Sequence, residues 1–163
     1  MRVPLHRPAA LVLLTAVLAA CGVEGHDHIA GPKGDGTSGG ASAHVHEAPR
    51  GGTLVVLAEE TAHLEILHDT ATGRLTVYLL GPHASNAVRT AQEALSVELV
   101  VGGATHTVTL PAQASELTGE TVGDSSEFAA DVPALIGAAS FSGTIRAVEA
   151  RGAWYDAVTF RVP

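Results

Sequence analysis

Cysteine is almost missing from this 163-residue chain: Cys21 is the only one. One cysteine forms no internal disulfide, which excludes a disulfide-stapled fold. Basic residues are scarce as well, nine against seventeen acidic, for a formal net charge of −8. A nucleic-acid partner would want a basic face, and this balance argues against one. Aromatic residues make up 4%, so a core has to be built from Val, Leu and Ile. The longest apolar stretch, residues 9–20, covers about a dozen positions, whereas a bilayer core needs roughly 20. No HExxH pattern, no free thiol and no Ser-His-Asp set arguable from order occurs, and the chain reads as non-enzymatic.

What is present begins with a targeting pattern. Arg2, His6 and Arg7 give a positive start, and residues 9–20 have the size of a signal-peptide apolar region. That run ends in Leu18-Ala19-Ala20-Cys21, with small residues at 19 and 20 to suit a peptidase pocket. These four residues resemble the lipobox of bacterial lipoproteins. The resemblance implies cleavage before Cys21, a diacylglyceryl group on its thiol and a palmitate-type acyl chain on the new amino terminus. Several acyl chains, at about 0.8 kcal/mol per buried CH₂, hold a protein durably where one would be marginal. Gly22 stands where an aspartate would favour inner-membrane retention, so the same resemblance implies an outer-membrane anchor facing the periplasm. All seventeen acidic residues follow Cys21, and losing Arg2 and Arg7 takes the side-chain charge from −8 to −10. Such a surface concentrates cations weakly and keeps a protein soluble. The expected organisation is a signal peptide over 1–20, a lipidated flexible linker over 21–49 and one β-rich domain over 50–163.

Residues 22–49 are rich in Gly, Ser, Ala and His and have no apolar period, which is linker composition. Gly34-Asp35-Gly36-Thr37-Ser38-Gly39 fits a dinucleotide fingerprint, and Gly36-Thr37-Ser38-Gly39-Gly40 fits a nucleophile elbow. Both need a strand before and a helix after, and the pattern supplies neither. The histidines carry more information. Eight of the nine follow Cys21, four of them in the linker. In His26-Asp27-His28 and His44-Val45-His46-Glu47, residues i and i+2 of an extended chain share a side, so each pair offers two imidazoles to one cation. Imidazole suits copper, nickel, cobalt and zinc, and a carboxylate can complete the set. The bland alternative is a polar tether with histidines by composition.

From Gly51 onward the period is two. Residues 53–58, 63–68, 75–80, 95–101, 105–110, 127–132, 143–149 and 154–162 read as strands, and 133–139 hold one helical turn at most. Gly102-Gly103 and Arg151-Gly152 mark tight hairpins. Eight short strands without a long helix predict a two-layer antiparallel β-sandwich of Ig-like architecture. In the second strand His63 and Glu65 face away from Leu64 and Ile66 and are expected outward. His68 has core parity and is expected at the sandwich rim, where Asp69 either orients its ring or starts a turn. His83 and His106 sit in or beside turns with no spacing to tie them to the others. In the last strand Trp154, Val158, Phe160 and Val162 share a parity.

Pro49-Arg50-Gly51-Gly52-Thr53, His63-Leu64-Glu65-Ile66-Leu67-His68-Asp69 and Gly73-Arg74-Leu75-Thr76-Val77-Tyr78-Leu79-Leu80 resemble a group of small exported bacterial proteins, often lipoproteins. These have a His-Gly-Gly opening and a strand ending in His-Asp. The stretch is also similar to a short β segment near the start of periplasmic adaptor subunits of heavy-metal efflux pumps. The similarity covers residues 49–82, and Arg50 departs from it by standing where the group has histidine. It implies cation handling through His63, Glu65, His68 and Asp69. Two functions stand side by side. One is an envelope lipoprotein that binds or buffers a divalent metal (Cu, Zn, Ni or Co) through these residues and His26, His28, His44 and His46. The other is a metal-free interaction or scaffold module whose protein partner the residues do not name.

Overall fold

A computed structural model describes residues 46–163; Cys21, His26, His28 and His44 lie outside the described residues. Eight strands follow one another: β1 Thr53–Leu57, β2 Ala62–Asp69, β3 Arg74–Leu80, β4 Ala94–Val101, β5 Ala104–Pro111, β6 Glu127–Asp131, β7 Phe141–Ala150 and β8 Ala153–Val162. Two short 3₁₀ turns, Pro82–Ala84 and Pro133–Leu135, are the helical content of the described residues. The strands form two antiparallel sheets, ordered β1-β2-β3-β6 and β5-β4-β7-β8. No described helix is long and apolar enough to cross a membrane.

The layering follows from the alternation. Leu64, Ile66, Leu75, Val77 and Leu79 of the first sheet are fully buried, as are Leu95, Val97, Leu99, Leu110 and Ile145 of the second. They form one apolar cluster with Phe128, Phe141 and Phe160. Each sheet hides its apolar face on the other, and aliphatic area removed from water supplies the main favourable energy. The β4–β5 hairpin turns on Gly102 and Gly103, with φ of 57° and 87°. A two-residue turn with both φ positive matches the twist of the flanking strands, and glycine takes it without steric cost.

The shared parity expected of Trp154, Val158, Phe160 and Val162 breaks in the middle of β8. Ala157 has a φ of 50°. Across it the inward set shifts from Val158 to Tyr155, which packs on the core, while Trp154 is 63% exposed. The paired strand β7 shifts in step: Ile145 and Val148 are both buried, with Arg146 exposed between them.

Candidate metal centre

The outer face of the first sheet is covered along β2, although Val56 of β1 is 52% exposed. His63 and Glu65, expected outward, point away from the core yet are both fully buried. The cover is the chain ahead of β1. Residues 46–52 run over β2, and a turn closed by Gly51 N–H donating to the Ala48 carbonyl feeds them back into the sheet. Glu65 fastens this strap. Its Oε1 accepts from Arg50 N–H at 2.6 Å and Gly52 N–H at 3.2 Å, and its Oε2 pairs with the Arg50 guanidinium at 3.1 Å. Arg50 also lies over the Tyr78 ring, 3.9 Å from its centroid. Gly51 takes a φ of 76°. A Cβ on Gly52 would stand 2.5 Å from the Ile66 carbonyl oxygen. The Gly-Gly pair is therefore what lets the strap lie flat on the strand.

The strap brings His46 to His63. Their rings meet edge to face with centroids 5.3 Å apart, and the His83 ring is 5.1 Å from that of His46. Glu60 comes from the β1–β2 turn and His83 from the 3₁₀ turn after β3. In an antiparallel meander those two connections leave the same end of the sheet, which is the end where His63 sits in β2. His46 Nε2 is 3.3 Å from Glu60 Oε1, and His83 Nδ1 is 4.0 Å from Glu60 Oε2. One donor atom from each of His46, Glu60 and His83 lies within 4.8 Å of the other two.

Beneath this trio, His63 Nδ1 lies 3.0 Å from the Gly81 carbonyl oxygen and 3.4 Å from Ala84 N–H. The carbonyl can only accept and is the closer, so we assign the proton to Nδ1, which leaves the lone pair on Nε2. A histidine ligand held by a backbone carbonyl through its other nitrogen is the usual supporting arrangement at metal sites. His63 Nε2 and His46 Nε2 are both buried without a hydrogen-bond partner among the described residues. A buried polar atom left so costs about 1–3 kcal/mol. The donor atoms within 4.8 Å of one another are those of His46, Glu60 and His83, and His63 stands behind them with its ring 5.3 Å from that of His46.

The backbone adds a third sign. Of seven described non-glycine residues with positive φ, five lie in the two turns at this end: Ala58, Glu59 and Glu60, then His83 and Ala84. Left-handed backbone without glycine costs of order 1–3 kcal/mol per residue and gathers at functional sites. Here it aims Glu60 and His83 at His46.

The set is imidazole and carboxylate with no sulfur donor, since Cys21 and Met1 are the chain's only sulfur-bearing residues and both lie outside the described residues. That chemistry suits Zn(II), Cu(II), Ni(II) and Co(II) and gives no hold for cations that demand thiolate.

The residues singled out from sequence separate. His46 and His63 come together, whereas Glu65 is taken up by Arg50 and Gly52. His68 is at the rim at the other end of β2, with Nε2 at 3.0 Å from the Leu135 carbonyl and its ring edge-on to Phe141. Asp69 starts a turn, its Oδ1 accepting from Ala71 and Thr72 N–H at 2.8 and 3.4 Å. Those bonds, the first from Ala71, hold its carboxyl below the ordinary value. His63 and His68 are five residues apart on an extended strand, about 16 Å, so one cation cannot take both. Glu60 and His83 are the residues that spacing along the chain did not single out. Neither a scan against protein-family models nor searches of curated proteins and of solved structures finds a match to this chain.

Proposed function

We propose that this chain is a non-enzymatic lipoprotein of the bacterial envelope, anchored through Cys21, whose β-sandwich binds a divalent transition metal at His46, His63, His83 and Glu60. The observation that carries the reading is the His46–Glu60–His83 donor trio, backed by buried imidazole nitrogens on His46 and His63 that make no hydrogen bond among the described residues. Neutral imidazole and ionised carboxylate are the binding forms, so the cation competes with protons and affinity falls in acid. His26, His28 and His44 would supply weaker, additional ligands, because a chain must be ordered before it chelates.

The test is calorimetric titration of Cu(II), Zn(II), Ni(II) and Co(II) into the full chain purified in detergent, beside the His46→Ala and His63→Ala variants. Micromolar or tighter binding that both variants lose supports the site. Binding that survives both variants assigns the metal to other histidines. No binding by the parent chain sinks the metal reading and leaves a lipid-anchored interaction module.

A further inference from the structure

The four side chains differ sharply in access, and the difference has an order. His63 is fully buried, on a strand, with its ring fixed by the Gly81 carbonyl. The His46 side chain is 15% exposed, that of Glu60 34% and that of His83 72%. The inner two residues belong to the strand and the strap clamped on it. The outer two stand on short turns in left-handed backbone. Donor atoms of the trio lie within 4.8 Å of one another. The Glu60 oxygens already stand 3.3 Å from His46 Nε2 and 4.0 Å from His83 Nδ1, inside the roughly 4.2 Å that two donors about 2.1 Å from one zinc ion can span. The His63 ring is sealed and held at the Gly81 carbonyl, whereas Glu60 and His83 are the two reached from solvent, so access to the site is from their side.

We infer that the site is a hand-over site: a bound cation leaves by ligand displacement at His83 and then Glu60, into a donor set presented by an acceptor. This rests on the metal reading above. The acceptor is defined by its chemistry, nitrogen, oxygen or thiolate donors on a protein or small chelator able to approach the exposed face. Each incoming donor forms one bond to the cation as one resident ligand leaves. His83 departs as a neutral imidazole with its lone pair, and Glu60 departs as a carboxylate. The cation keeps its charge throughout, and no oxidant or reductant is needed. His63 is the last ligand to let go. A storage site would instead bury all its ligands and release the cation only by local opening.

The experiment loads the full chain in detergent with Zn(II) and follows its loss to EDTA by stopped flow over a wide range of EDTA concentration. Displacement predicts a rate that rises in proportion to EDTA with no plateau. A rate independent of EDTA overturns the proposal, because the cation then leaves before the acceptor arrives. In His83→Ala, a surface turn position, affinity falls about tenfold or more and the slope against EDTA rises. A His83→Ala slope equal to that of the parent would place the exit elsewhere and also overturn it. Absence of Zn(II) binding by the parent chain in the calorimeter is a separate outcome, which removes the metal reading and this inference with it.

Discussion

β2 carries a histidine near each end, and their surroundings are opposed. His68 has the company a rim histidine needs: a carbonyl for Nε2, an aromatic edge, and a neighbouring Asp69 committed to its own turn. His63 has a carbonyl for Nδ1, nothing described for Nε2, and two further imidazoles gathered around it. The His-Asp pair looks more like a metal motif on paper. What makes a site is convergence of connections in space, and only the start of β2 has it. The two ends also differ in cost. The far end has its polar groups bonded and adds to stability, while the near end holds strained turns and buried imidazole nitrogens with no hydrogen bond among the described residues.

The sharpest way to break this contrast is to remove each ring in turn. His63→Ala should lower metal affinity by about a hundredfold, at the upper end of what supporting residues alone achieve. His68→Ala should leave affinity unchanged while lowering the melting temperature through the lost Leu135 bond. Equal losses in calorimetry would mean that β2 is a single metal strand and that its two ends are not opposed.

Much of this was legible in the residues, and the remainder had a physical reason to be hidden. All eight strands were legible, residues 53–58 as a short apolar run, 75–80 from β-branched and aromatic content and others from period-two alternation, because a sandwich strand has one wet or covered face and one dry one. Alternation does not say what lies on the outer face. For the second sheet the outward residues are largely exposed, but on β2 of the first His63 and Glu65 are sealed under residues 46–52, whose Gly, Pro and His content reads as tether. Glu60 and His83 were hidden by sequence distance from His46. Once β1, β2 and β3 are taken as a meander, however, the 58–61 and 81–84 connections must emerge at one end beside His63. Topology, rather than spacing, was the available signal. The parity slip at Ala157 had none, since alanine gives no hint of a positive φ.

The strap gives the next test, of middle size. Gly52→Ala sets a Cβ against the Ile66 carbonyl, so the strap must lift. A cost of about 1–3 kcal/mol is expected, as for other overpacked sites. His46 rides on the same segment, so metal affinity should fall together with stability. A variant that loses stability in denaturant titration but binds metal as before would show that His46 reaches the site without the strap. Glu65→Gln probes the same fastening more gently. It keeps an acceptor for Gly52 and removes the charge that pairs with Arg50, for about 1–2 kcal/mol, and a smaller loss of affinity should follow.

The smallest effect concerns the far side of the strap, where Arg50 lies on Tyr78. Burial, followed by the charge of Glu127, pushes the Tyr78 phenol above its ordinary value, against an opposing pull from Arg50. A phenol whose folded value is raised binds its proton more tightly in the folded state. Its contribution is therefore complete below the unfolded value and is lost as pH rises through the folded one. Stability measured by urea titration should hold up to about pH 10 and decline above it, and Tyr78→Phe should flatten that decline without altering metal affinity at neutral pH. Because the ring stays in place under Arg50, the cation–π contact survives the substitution. If Tyr78→Phe instead weakened metal binding, the hydroxyl, and not the ring, would be steadying the strap. The metal end and the Tyr78 side of the first sheet would then be one coupled unit.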